Sequence, residues 1–193
     1  MSERDSEIRE PNAAFAIAFH CHQRRPLLSS DRWMSVLSEI AANALHRHHL
    51  ALYAYVFLPT TARLLVSVRE TATVLPRMLY SMKRTFTERV KPELRRVNRA
   101  LWSELVARER GGRYVFRFWE PGPGIIERLV SSSAIVQAIE DIHAAPARAG
   151  LCDEAGEWRW SSWGQYHAGS DWVSDAVLAV HADALEVFAS SGL

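Results

Sequence analysis

Residues 50–68, LALYAYVFLPTTARLLVSV, decide the fold. Aliphatic and aromatic side chains fill the stretch on both sides of one break at Leu58-Pro59-Thr60. Such runs are typical of strands in the middle of a sheet. Because proline has no backbone donor, Pro59 suits the connection better than either strand. The stretch predicts two adjacent strands, with Thr61 and Arg63 side by side on one face just past the turn.

The flanking segments predict a βαββαβ order. Residues 13–21 and 113–119 alternate as strands do, while residues 31–49 and 74–90 carry apolar side chains at helical spacing. Past residue 90 we expect an irregular, basic segment. Right-handed crossovers fold this order into a ferredoxin-like α/β (α+β) sandwich, an antiparallel sheet with helices on one face. Further helices are predicted over 131–146 and 175–189.

Length and composition indicate one globular domain. The chain has 193 residues, of which 48% are hydrophobic and 23% charged, and no window is apolar enough to span a bilayer. We expect a disordered tail over 1–12, the domain over 13–169 and a C-terminal helical extension over 170–193. The start of the chain is unlike a signal peptide, and two cysteines make no disulfide framework. A monomer in the cytoplasm is the expectation.

The net charge of +1 conceals an asymmetry. Residues 83–117 hold 11 Lys/Arg against 4 Asp/Glu, a local balance of +7, whereas residues 118–193 have a balance of −8. A basic centre suits an anionic partner, and a solvated helix face would give the same pattern. The predicted DNA-binding residues form a basic ridge on and after the second helix: Lys83, Arg84, Arg89, Lys91, Arg95, Arg96 and Arg99.

Six motifs follow one another along the chain. They are FHCHQRR at 19–25, an L-P-x-x-x-x-L-L turn at 58–65, SMKRTFTERV at 81–90, LW…FRFWEPGPG over 101–124, IHAAPARAGL at 142–151 and WRWSSW at 158–163. In this order they resemble the REP-associated tyrosine transposases, single-domain members of the HUH transposase superfamily. The resemblance covers residues 13–169. It implies a ferredoxin-like fold and recognition of hairpin or single-stranded DNA.

The resemblance also implies a chemistry. In the family the turn reads M-P-N-H-x-H-L-L, and its two histidines hold Mg²⁺ or Mn²⁺, which polarises the scissile phosphate. A tyrosine in a Y-I-x-x-N-P-V-x-x-G motif then attacks and becomes a 5′-phosphotyrosine. Here the histidine positions are Thr61 and Arg63, and the tyrosine position is Asp141. Arginine is a fixed cation that does not ligate metals. The sequence therefore predicts a transposase-like DNA-binding protein without cofactor or strand cleavage of its own.

Two alternatives stay open. An active DNA strand-transferase could use a relocated site, with His20 and His22 as displaced metal ligands and Tyr80, Tyr114 or Tyr166 as the nucleophile. The simpler interpretation of the histidine pair is a polar strand end. Alternatively, the chain is an interaction protein that keeps only the fold, with the acidic C-terminal helix as its partner surface or folded over the basic ridge.

Overall fold

The computed structural model describes residues 13–68, 72–108, 111–167 and 178–190. The strands in this part of the chain are β1 (Ala13–His20), β2 (Ala51–Leu58), β3 (Thr61–Val68), β4 (Val106–Arg108), β5 (Tyr114–Phe116) and β6 (Ile125–Leu129). The α-helices are α1 (Asp31–Arg47), α2 (Val74–Val97), α3 (Arg99–Glu104), α4 (Ser132–His143), α5 (Ala145–Arg148), α6 (Trp163–Tyr166) and α7 (Ala182–Ala189). The predicted tail over 1–12 lies outside the described residues.

Four strands form one antiparallel sheet in the order β2-β3-β1-β6. With α1 after β1 and α2 after β3, this is the ferredoxin-like βαββαβ arrangement, so the predicted fold class is confirmed. At the centre, His20 lies opposite Thr61 and Ala18 lies opposite Arg63. Because side chains alternate along a strand, Thr61 and Arg63 share one face, as the sequence predicts.

Each face of the sheet has its own core. Helices α1 and α2 pack on one face, around Phe19, Leu64 and Phe86, so the two crossover helices lie on the same side as predicted. Helix α4 packs on the opposite face, where Ile139 and Ile142 meet Leu65. Burial of both faces explains why β2 and β3 read as almost continuous apolar runs. In the described residues no helix has the length and apolarity needed to cross a membrane.

Strict alternation along β2 would put Leu52, Ala54 and Val56 on one face, and this expectation is wrong at the start of the strand. A register irregularity lies between Leu52 and Ala54, as at a β-bulge. As a result Leu52, Tyr55 and Phe57 face α1 and α2, while Ala54 joins the core under α4. An extra residue in one strand reverses the face of every residue beyond it.

The last strand of the sheet is not the predicted one. Residues 113–119 supply only β5, which pairs with β4 in a separate two-stranded sheet, and Phe118 and Trp119 are core residues. The edge strand is β6, which follows the Pro-Gly-Pro-Gly segment at residues 121–124. Gly124 makes this return possible, since it has φ +101° and a Cβ there would lie 2.4 Å from the carbonyl oxygen of Ala18.

Helix α2 is longer than predicted and α7 is shorter. Instead of becoming irregular past residue 90, the chain continues in α2 to Val97, with Pro92 inside the helix. Val90 and Leu94 are buried on either side of this proline, and their burial offsets the hydrogen bond that it removes. Of the helix predicted over 175–189, residues 178–181 are not helical, and residues 171–177 lie outside the described residues.

The outer edge of β2 is covered by a later segment of the chain. Phe57 N donates to Trp160 O at 2.8 Å, and Ser162 N donates to Tyr55 O at 3.0 Å. The hydroxyl of Ser162 lies 2.9 Å from Nε2 of His143, at the end of α4. One buried serine thus ties the edge of the sheet to the helix on its face.

His143 makes this contact sensitive to pH. Burial, with a smaller contribution from His167, lowers the pKa of His143 to about 3. In the unfolded chain a histidine has a pKa of about 6.5. At pH values between the two pKa values, the unfolded chain therefore binds a proton at this residue and the folded chain does not. The contribution of His143 to stability is therefore complete above about pH 6.5 and declines as the pH falls from there towards 3.

We expect His143→Gln to flatten the pH dependence of unfolding. Between about pH 6.5 and 4.5 the wild type should lose up to about 1.4 kcal/mol per pH unit through this residue, and the variant should lack that component. Urea unfolding at several pH values measures the difference. His46→Gln, at an exposed position near the end of α1, is the control and should keep the wild-type slope. Equal slopes for both variants would contradict the assignment.

Candidate functional site

A groove of about 610 Å³ lies between α2 and residues 113–122. From α2 it is lined by Tyr80, Arg84 and Lys91, and across the groove stand Tyr114 and Phe116. The side chains of Tyr80 and Tyr114 are 68% and 67% exposed. Lys91 Nζ lies 5.8 Å from the ring centre of Phe116, within cation–π range. Aromatic rings and exposed cationic side chains therefore share one concave surface.

The seven predicted DNA-binding residues do not form a single ridge. Arg84, Lys91 and Arg95 recur on one side of α2, where Arg95 lies 5.2 Å from the ring centre of Trp102. Arg89 lies on the side that faces α1 and pairs with Glu39 at 3.1 Å. Arg96 is seven residues further along, nearly two turns, and so belongs to the same side. Arg99 begins α3 and is exposed.

Lys83 lines this groove but is almost entirely buried. Only 9% of the residue is exposed, and its Nζ donates to the carbonyl oxygens of Glu120 and Gly122 at 2.6 Å each. Burial lowers the pKa of Lys83, and the charge of Glu120 opposes this. The side chain therefore fastens the segment that leads into β6 onto α2. The prediction that Lys83 belongs to an exposed basic ridge is wrong, because charge along a sequence does not reveal which side chains are internal.

Thr61, at the position where the resemblance places a metal-binding histidine in the family, faces His20 of the neighbouring strand. Its Oγ1 lies 2.8 Å from Nδ1 of His20, directly across the β1–β3 pair. Burial, followed by the charge of Arg24, lowers the pKa of His20, which favours the neutral ring. The hydroxyl of Thr61 is thus held by the neighbouring strand.

Arg63 and Asp141 lie next to each other, as the resemblance implies for their positions. Nη1 of Arg63 is 3.4 Å from the carbonyl oxygen of Asp141. The carboxylate of Asp141 accepts a hydrogen bond of 2.8 Å from Nη1 of Arg148, whose Nη2 donates to the same carbonyl oxygen. Arg148 is the residue that sequence reasoning missed. The sequence signal for this contact is the seven-residue spacing between Asp141 and Arg148. It equals about two helical turns if α5 continues in the direction of α4.

His20 and His22, the alternative metal ligands, contact different residues. His20 contacts Thr61, whereas His22 begins a turn after β1 and places Nδ1 3.8 Å from Oε1 of Glu120. Within the described ranges, no group of three or more His, Cys, Asp and Glu side chains is placed to hold a metal ion.

The three spare tyrosines differ in accessibility. Tyr80 and Tyr114 stand at the groove, and both side chains are exposed. Tyr166 is different, since its hydroxyl donates to the carbonyl oxygen of Tyr53 and burial raises its pKa. A raised pKa opposes formation of a nucleophilic tyrosinate.

A solved structure shares this fold. The chain is similar to a REP-associated tyrosine transposase solved with a bound REP hairpin, with a TM-score of 0.62 and 15% identity over 94% of each chain. A candidate transposase from Deinococcus radiodurans R1 gives a TM-score of 0.45 and 14% identity over 73% of this chain and 97% of that one. No family model and no curated protein matches the sequence. At 15% identity the first likeness establishes a common fold.

The internal role of Lys83 leads to a test of stability. Lys83→Met keeps most of the side chain but leaves the carbonyl groups of Glu120 and Gly122 without their donor. We expect the free energy of unfolding to fall by about 2 kcal/mol, as for loss of charged hydrogen bonds at a buried site. Arg84→Met is the matched control: Arg84 is exposed and pairs with Glu88, so its loss should leave the free energy of unfolding close to that of the wild type. Urea denaturation measures both, and equal losses would refute the internal role.

Proposed function

We propose that this chain is a transposase-like DNA-binding protein that holds hairpin or single-stranded DNA and does not cleave it by the phosphotyrosine mechanism. The observation that carries the proposal is the groove between α2 and residues 113–122, where exposed tyrosines stand among cationic side chains. Proteins that bind single strands combine these two features, because every base offers a face for stacking and every nucleotide a phosphate for pairing.

The geometry of the groove suits a nucleic acid strand. Arg84 and Lys91 lie seven residues apart on α2, about 10 Å along the helix axis, so each can meet a different phosphate. The rings of Tyr80 and Tyr114 offer accessible faces for bases. Glu88 tempers the charge of Arg84 in the free protein. A phosphate would compete with this exposed carboxylate for the guanidinium.

The structural neighbour bound to a REP hairpin supports DNA as the partner. Both cysteines are free thiols, which fits the cytoplasm as the compartment where the protein would meet DNA.

The family's metal chemistry does not suit the residues at its position. Arg63 places a fixed positive charge near the point where a divalent cation would lie, and the hydroxyl of Thr61 is engaged by His20. At roughly 5 Å and an effective dielectric constant of 20, repulsion between a divalent ion and a guanidinium is on the order of 6 kcal/mol. One hydroxyl ligand does not offset that cost. Asp141 cannot form a phosphotyrosine, and its carboxylate is paired with Arg148.

We expect a labelled hairpin oligonucleotide to bind with strong salt dependence. If the groove neutralises roughly two or three phosphates, affinity should fall about tenfold between about 50 and about 200 mM salt. The variant Arg84→Ala/Lys91→Ala/Tyr114→Ala should bind at least about tenfold more weakly. Fluorescence anisotropy measures both effects.

The matched control is Arg89→Ala/Arg96→Ala, on the side of α2 that faces α1. It also removes two positive charges and should change affinity by less than about threefold. Equal losses of affinity in the two variants would indicate that DNA contacts both sides of α2 and not the groove alone. No binding at low salt would remove DNA as the partner and favour a protein that keeps only the fold.

We expect no covalent adduct between the protein and hairpin DNA in the presence of Mn²⁺. Denaturing gel electrophoresis of a reaction with labelled DNA detects such an adduct. The comparison variant is Thr61→His/Arg63→His/Asp141→Tyr, which supplies the paired imidazoles and tyrosine of the family and should bind Mn²⁺ more tightly than wild type. An adduct of the wild type that a chelator abolishes would instead establish a relocated site. Tyr80→Phe and Tyr114→Phe would then identify its nucleophile.

A further inference from the structure

Two arginine side chains converge on one backbone carbonyl at the end of the sheet. The guanidinium of Arg63 reaches the carbonyl oxygen of Asp141 from β3, at 3.4 Å. The guanidinium of Arg148 donates to the same oxygen from α5. Since both groups lie within hydrogen-bonding reach of one atom, the two cations are close neighbours.

The charges around this oxygen do not balance. Among the described residues, the charged groups that act on the Arg63 guanidinium are Arg148 and Asp141, so two positive charges face one negative charge. Burial, followed by the charge of Arg148, lowers the pKa of Arg63, and Asp141 opposes this shift. The Asp141 carboxylate is already paired with Arg148, which donates to its Oδ1 at 2.8 Å. A half-buried guanidinium beside a second cation is a favourable place for an anion.

Arg63 also has donors to spare. A guanidinium carries five N–H groups in a fixed planar fork. Among the described residues, Arg63 makes one hydrogen bond, and that bond is long. The planar fork matches two oxygens of a phosphate group, a match that a lysine would not provide.

A cleft of about 450 Å³ adjoins the pair, between α4 and strands β1 and β6. Arg63 and Asp141 line one part of it. Small side chains such as Ala18 open the space, Ile125 adds an apolar wall, and Glu127 on β6 adds one carboxylate. The volume falls in the range of small-ligand sites. A phosphate held by the arginines would therefore stand beside a partly apolar space that can take a flat ring.

We propose that Arg63 and Arg148 form a metal-independent binding site for the phosphate of a nucleotide, with the nucleoside in the adjoining cleft. The phosphate comes either from a free nucleotide or from a nucleotide unit within a DNA strand. The second source rests on the proposed function. In either case the arginine side chain takes the phosphate-binding role in place of a divalent cation, and no bond is made or broken.

The test is a titration of the protein with inorganic phosphate and, separately, with thymidine 5′-monophosphate, each in the presence of a chelator. NMR chemical shifts of the protein measure the binding. The wild type should show saturable shifts at α4 and the end of β3, with the nucleotide bound more tightly than phosphate. Arg63→Met should weaken binding about tenfold or more, as for loss of a charged donor. Arg148→Met, at an exposed position that is safe for folding, should weaken it several-fold.

Arg47→Met is the matched control, since Arg47 is an exposed arginine at the end of α1, and it should bind as the wild type does. Saturable binding that is unchanged in both Arg63→Met and Arg148→Met would overturn the proposal. Absence of any shift at α4 and β3 with either ligand, up to about tens of millimolar, would overturn it as well.

The hairpin oligonucleotide distinguishes the two sources of phosphate. If Arg63→Met weakens hairpin binding while the groove residues remain intact, the site receives a phosphate of the strand. If hairpin binding is unchanged but nucleotide binding is lost, the site takes a free nucleotide. If only the groove variant loses hairpin binding and nucleotide binding is intact, both proposals hold: the groove binds the hairpin, and the arginine pair binds a nucleotide at a separate surface. Absence of hairpin binding by the wild type defeats the proposed function alone, because the nucleotide titration does not depend on it.

Discussion

The pairing of β1 with β3 is the constraint on which the rest of the structure depends. Strand β3 is buried on both faces. Its Leu64 and Val66 pack against α1 and α2, and its Leu65 packs against α4. A slip of one residue would exchange these faces and bury Arg63 among the aromatic rings of the larger core. The native register places Arg63 opposite Ala18. The small alanine leaves the room that the cleft beside α4 occupies.

The sequence predicts the elements whose patterns are local. The central strands, α1 and the crossover order follow from periodicity, and the shared face of Thr61 and Arg63 follows from alternation. Strand β6 could not be found in this way, because it has only five residues and includes Glu127 and Arg128. It is held by its neighbour β1 and by the return at Gly124. Tertiary pairing, and not propensity, makes it a strand.

The candidate site shows the same division. Counting charges located the basic stretch but not the burial of Lys83, because a lysine that serves two backbone carbonyls looks like any other in sequence. The resemblance predicts that Arg63 and Asp141 lie at one site. The role of Arg148 could not be predicted in this way, because it depends on the turn between α4 and α5. Two of the motifs behind the resemblance meet through His143 and Ser162. Their presence together thus has a structural cause, which does not depend on the residues at positions 61, 63 and 141.

The cover on the outer edge of β2 has a consequence for folding during synthesis. Residues 160–162, which pair with that edge, emerge from the ribosome about a hundred residues after β2 itself. Until then the first three strands expose a row of unpaired backbone groups beside an apolar surface, the kind of edge that recruits strands from other chains. Strand β6 closes the opposite side of the sheet earlier, once residues 125–129 are available. The nascent protein therefore completes its sheet from the β1 side first, and its most aggregation-prone edge is the last to be protected.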